Sequence, residues 1–362
     1  MRIGLKVLLS LALLVAIVAG CGPVPAQPVA PAAPATQQPA QPAAATAQPV
    51  AQPTAVPLRV ALILPGRADD VSWNQAAYDG IQRAVKAAKV PVELKVVEQV
   101  YDPVAIEPAL RDYAQQGYDL VVGHGFQFQE PVIKVAAEFP KVNFAIGTGF
   151  KLAPNVGVYD VKLEQGGYMM GIIAGLLTKA NVAGVVGGVD VSEIHRGHAA
   201  FGQGAKSVNP NVKVLNNFVG DFNNLSGAKE SALSLMKAGA DVLWQSGDGV
   251  GIAVLGACKE KNTLCMGNVA NQTKLAPDQT IASFVYDWGP VFTNMINQVV
   301  DKKYGDQKYW IEFANQGVSL QYNDALKGKI TPEIQAALDK AQKGFESGSL
   351  DLGDLDSVKI GQ

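Results

Sequence analysis

The chain has 362 residues and a formal net charge of −2, with no block of basic residues anywhere along it. That balance argues against nucleic-acid binding, which depends on a basic face to neutralise phosphates. Beyond residue 57 about 300 residues remain, enough for roughly two domains.

The first residues read as an export signal. Arg2 and Lys6 are basic, and residues 7–20 form an uncharged apolar run. This run is shorter than the ~20 residues a spanning helix needs. It ends in Val18-Ala19-Gly20-Cys21, the small-residue pattern of a bacterial lipobox. Residues 1–20 are therefore expected to be a lipoprotein signal peptide. Cys21 is the expected lipidation site, placing the chain on the outer face of the cytoplasmic membrane through its acyl chains. Residues 21–57 contain ten prolines among Ala, Gln, Val and Thr, without one charge. Such a segment buries too little apolar surface to offset its ordering entropy. Its prolines bias it to extended polyproline II, so it reads as a disordered tether.

Strands and helices alternate from there on. Residues 58–64 are apolar but for Arg59, as expected for a strand buried in a parallel sheet. Ala77, Ile81, Ala84, Val85 and Ala88 share one helical face. A strand follows at residues 92–97, then a helix ending at Gly117, a strand at 119–123, a helix at 131–139 and a strand at 142–146. This alternation predicts an open parallel sheet with helices on both faces. The pattern then recurs at one offset. Gly117-Tyr-Asp119 returns as Gly239-Ala-Asp241, His124-Gly125-Phe126 as Ser246-Gly247-Asp248, and Phe144 as Met266, each pair 122 residues apart.

Two similar α/β lobes joined by a hinge are thus expected. The first spans 58–162, completed by 284–307. The second spans 163–283, completed by 308–357. Chain crossings are placed near 160–163, 283–287 and 304–309, with a last helix at 331–345 on the outside of a lobe. Ligands of such sheets sit beyond the carboxyl ends of the strands. Gly125 and Gly247 both follow such ends and would face each other across a cleft. Cys258 and Cys265 are compatible with a short disulfide and equally with two buried thiols.

Several motifs resemble the basic membrane lipoprotein (PnrA-like) family. They are Asp69-Asp-Val-Ser-Trp-Asn-Gln75, Gly166-Gly-Tyr-Met-Met-Gly-Ile-Ile-Ala-Gly175, Val185-Val-Gly-Gly188 and Phe201-Gly-Gln-Gly-Ala-Lys206. The resemblance implies two Rossmann-like lobes in the type I periplasmic-binding fold. It also implies a substrate-binding lipoprotein that serves an ABC importer permease and holds a purine nucleoside or nucleobase between its lobes, with no cofactor. By this resemblance Trp73, Asn74 and Phe222 fall in the site, with Trp73 and Phe222 sandwiching a base and Asn74 reading its edge, and Asp70 in the same motif is a candidate polar anchor of the cleft. Gly125, Phe126, Gly247, Asp248, Tyr286, Asp287 and Trp288 complete the expected ligand-binding set. The family's nucleoside binders hold ribose with an Asp and a Lys; Val269 and Tyr286 stand in those places. That departure, with Trp288 expected to fill the ribose volume, points to a free base such as adenine.

Competing readings are a sugar-binding protein of the same fold, a ligand sensor feeding a membrane receptor, and an enzyme. His195-Arg-Gly-His198 offers two metal ligands at helical spacing but no third, and is expected at a surface helix end. No nucleophile elbow or Walker loop occurs. Neither metal binding nor catalysis is therefore expected.

Overall fold

The computed structural model describes residues 56–360. The expected signal peptide, Cys21 and most of the tether lie outside the described residues.

Five strands open the first lobe: β1 (Leu58–Ile63), β2 (Val92–Val97), β3 (Leu120–Gly123), β4 (Asn143–Gly147) and β5 (Val156–Val161). Helices α1 (Trp73–Ala87), α2 (Pro103–Gln115) and α3 (Gln129–Glu138) connect them. Apart from Arg59 near its start, β1 is apolar because helices cover both faces of its sheet; Val60, Ala61, Leu62 and Ile63 are fully buried. β2 alternates instead because it is the sheet's outer edge. α2 starts where Asp102 accepts the Val104 N–H at 2.9 Å and Pro103 takes the first helical position.

The second lobe repeats the plan. It runs through α4 (Leu163–Leu177), β6 (Val182–Gly187), α5 (Ser192–Val208), β7 (Lys213–Phe218), α6 (Leu225–Lys237), β8 (Val242–Ser246), α7 (Asp248–Lys261), β9 (Leu264–Val269) and β10 (Thr280–Tyr286). The chain ends with α8 (Gly289–Val300), β11 (Lys308–Ile311), β12 (Val318–Tyr322) and α9 (Pro332–Ser347). The two six-stranded sheets have orders β11-β5-β4-β3-β1-β2 and β12-β10-β9-β8-β6-β7. All pairs are parallel except β10 with β12. The small-residue face of α4 lets α5 approach backbone to backbone: a Cβ on Gly167 would lie 2.0 Å from the Gly197 carbonyl oxygen.

The sheet boundaries differ from those expected. β10 stays in the second sheet through Tyr286, and β11 returns to the first sheet beside β5. The last crossing therefore lies after Ile311, not before residue 308. Four residues of an edge strand carry no local mark of the sheet they join. α8 packs on α1, and α9 packs on α4, where Phe345 stacks on Phe313.

Cys258 and Cys265 are buried free thiols, so the disulfide alternative is set aside. The adjoining Cys265 thiol and burial push the Cys258 thiol up. His198 is not at a surface: it is buried, stacks on Phe218 and binds Asn216 and Ser246 through its two ring nitrogens.

Candidate ligand-binding cleft

A cleft opens where the strand ends of the two sheets face each other. Its first wall is organised by Asp70. The two carboxylate oxygens of this residue accept the N–H groups of Ser72 (2.8 Å), Asn74 (3.0 Å) and Gln75 (3.0 Å), which α1 would otherwise leave unpaired. Asn74 donates its amide to the same carboxylate at 2.7 Å and accepts the Gly66 N–H at 3.0 Å. Together they fix the loop that carries Trp73 into the cleft.

Trp73 stacks on His124, with ring centroids 4.1 Å apart and planes 15° apart. Its indole N–H points to the His124 carbonyl at 3.4 Å. Burial pulls the His124 pKa down to about 3, so its ring is neutral. His124 Nε2 lies 3.1 Å from the Trp73 carbonyl, which only accepts, so Nε2 carries the proton. Nδ1 then accepts from the Tyr159 hydroxyl at 2.6 Å. Trp288 is fully buried behind this stack, edge-on to Trp73 at 5.5 Å.

The second wall is of another kind. Glu193 lies in the first turn of α5 and Asp248 in the first turn of α7. Asn268 and Val269 end β9, and Tyr286 ends β10. Burial, then the charge of Asp70, pushes the Asp248 carboxyl up to about 8, against the opposing pull of the Trp73 N–H and the Ser72 hydroxyl. Burial also holds Glu193 well above the carboxylate range, with the charges of Asp160 and Asp248 adding to it and Arg196 opposing. The Tyr286 hydroxyl and the Asn268 side-chain oxygen are buried without hydrogen-bond partners. Val269 has φ 70° and Val71, on the opposite rim, φ 54°, a region costly for β-branched residues.

The lobes touch around the cleft. Phe126 meets Phe222 at 6.1 Å, the Tyr101 hydroxyl donates to Asp221 at 3.3 Å, and Gln272 donates to the Val71 carbonyl at 3.2 Å. They bound about 620 Å³ of space, part of it open to solvent. None of the lining residues is Lys, Arg or His.

Seven expected residues line this space: Trp73, Gly125, Phe126, Phe222, Gly247, Asp248 and Tyr286. Four do not. Asp70 and Asn74 are engaged with α1 and its loop. Asp287 turns outward to Arg83 at 2.6 Å and caps α8 through the Gly289 N–H at 2.8 Å. Trp288 sits behind Trp73 and does not line the cleft. Phe222 lines the cleft, yet the ring it meets across it is that of Phe126. Glu193, Asn268 and Tyr101 line the cleft and went unforeseen. Glu193 follows a strand end, the signal that had singled out Gly125 and Gly247.

The family model described as ABC transporter substrate-binding protein PnrA-like matches residues 58–347. A purine-binding protein of Brucella abortus is 29% identical over 253 residues, 70% of this chain and 72% of that protein. The ABC transporter nucleoside-binding protein BmpA of Lactococcus lactis subsp. cremoris is 26% identical over 81% of this chain and 88% of its own length. A solved ABC-transporter solute-binding protein from Conexibacter woesei superimposes with a TM-score of 0.67 at 27% identity, covering 82% of this chain and 99% of that one. The chain belongs to the PnrA-like family of ABC transporter substrate-binding proteins.

Proposed function

We propose that this protein captures a purine, as base or nucleoside, between its lobes and delivers it to an ABC importer, held at the outer face of the cytoplasmic membrane through Cys21. The observation that carries this reading is the pairing of the two walls. A flat, rigid indole shares the cleft with the Glu193 carboxyl, the Asn268 amide oxygen and the Tyr286 hydroxyl, none of which is hydrogen-bonded within the described residues. A planar heterocycle with polar edges satisfies both: stacking on an aromatic ring contributes ~1–3 kcal/mol, and edge groups take up the unpartnered atoms. The relatives that bind purines and nucleosides support the same ligand class.

A free base was expected over a nucleoside on two grounds. Val269 does stand in the wall without a polar side-chain atom, whereas Trp288 is not among the residues that line the cleft. Glu193 and Asn268 offer partners for ribose hydroxyls, so both forms belong to the proposal. Calorimetric titration of adenine, guanine, adenosine and guanosine tests it. Saturable binding of at least one is expected, and binding of none would overturn it.

A further inference from the structure

Glu193 is a buried residue without a structural task. It is 9% exposed and faces the cavity. Among the described residues its carboxyl makes no hydrogen bond and no ion pair. A carboxyl in a helix's first turn gains from the helix dipole, but that gain needs no burial. The nearest cation, Arg196, is engaged one turn further on with Glu164 at 3.3 Å and Asp160 at 3.5 Å. Two more residues lining the same cavity, Tyr286 and Asn268, are only 5% and 2% exposed, and the Tyr286 hydroxyl and the Asn268 oxygen also lack partners. Buried polar groups are normally paired, so three unpaired ones around one cavity mark where a ligand's polar edge lies.

We propose that Glu193 is a ligand-contacting, specificity-determining residue whose carboxyl meets an N–H on the edge of the captured heterocycle, so that the site takes unphosphorylated bases or nucleosides and rejects their phosphates. The proposal rests on the purine reading above. The rejection follows from the lining: a phosphate would be stripped of its hydration with no Lys, Arg or His among the residues around the space to offset its charge. Burial pushes the Glu193 carboxyl up, and a carboxyl that holds its proton both donates and accepts. That matches a purine edge that places an N–H beside a ring nitrogen. A glutamine amide offers the same donor–acceptor pair.

Calorimetry on the purified protein with adenine, N6,N6-dimethyladenine, adenosine and AMP tests this, with unfolding midpoints as the check on folding. Glu193→Leu should weaken adenine about tenfold, the loss of one good hydrogen bond, while Glu193→Gln stays within about threefold of wild type. Wild type should bind dimethyladenine less tightly than adenine, and Glu193→Leu should erase most of that difference. AMP should bind wild type about a hundredfold less tightly than adenosine, since its phosphate would lose hydration with no cation lining the space to offset it. A folded Glu193→Leu that binds adenine within twofold of wild type would overturn the Glu193 assignment and leave the purine reading standing. AMP binding as tight as adenosine would overturn the phosphate exclusion. Wild type that binds no purine would overturn both readings together. Should Glu193→Leu not fold, equal wild-type affinity for adenine and dimethyladenine decides against the contact.

Discussion

On the first lobe the buried polar side chains around Trp73 are committed within the protein. Asp70 serves three backbone N–H groups, Asn74 ties the loop to it, and His124 binds Tyr159 and Trp73. On the second lobe Glu193, Asn268 and Tyr286 line the same space, and the Asn268 oxygen and Tyr286 hydroxyl are buried without partners. The two lobes share one strand order, so the fold does not set this difference; the side chains do. The first lobe supplies a rigid, apolar stacking face whose geometry is fixed before a ligand arrives. The second supplies the hydrogen-bonding demand that chooses the ligand. Preorganisation on one side limits the ordering cost of closing the other onto it.

Removing the stacking face should have the largest effect on affinity. Trp73→Ala deletes a ring that contributes ~1–3 kcal/mol to base stacking. It should weaken purine binding by about tenfold to a hundredfold, at ~1.4 kcal/mol per decade. Calorimetry measures it, and unchanged affinity would shift the stacking role to Phe126 or Phe222.

Asp70 should act on stability and only indirectly on ligand. Asp70→Ala leaves the start of α1 unserved, and the loss of such a cap costs about 0.5–2 kcal/mol. In a protein of this size each kcal/mol lowers Tm by roughly 2–4 °C. A variant with wild-type Tm but much weaker binding would move Asp70 from scaffold to ligand anchor.

Asp248 gives the second wall a pH signature. In the closed arrangement it keeps its proton up to a pH of about 8, whereas an unfolded Asp loses it near pH 4. The folded state therefore binds more protons between these values, and its stability falls as pH rises from about 4 to 8. Asp248→Asn should flatten that slope by about 1 kcal/mol or more, since moving a pKa by one pH unit between the two states corresponds to ~1.4 kcal/mol. Unfolding midpoints of variant and wild type across this range measure the difference. Parallel curves would place Asp248 in solvent.

Asp287 should matter least. Its ion pair with Arg83 is about half exposed, and such pairs contribute at most about 1 kcal/mol. Asp287→Ala should lower Tm slightly and leave ligand affinity unchanged.

Much of this architecture was legible because buried parallel strands are apolar throughout and helices repeat at 3.6 residues. The 122-residue offset exposed the second lobe, and the strand-end rule found Gly125, Gly247 and Asp248. Residues around α1 misled for a physical reason. An Asp or Asn before a helix looks the same in sequence whether it serves the helix's own N–H groups or a ligand. Trp288 was misplaced because only packing decides which side of Trp73 a neighbouring ring occupies. Glu193 was passed over because one acidic residue in a helix's first turn is ordinary on a surface. Its burial, which makes it unusual, is a tertiary property.

Native mass spectrometry of the protein as purified from its own cells tests the purine reading most directly. A retained small molecule with the mass of an unphosphorylated purine base or nucleoside is expected, lost or reduced in Trp73→Ala. A retained sugar or nucleotide in its place would contradict that reading.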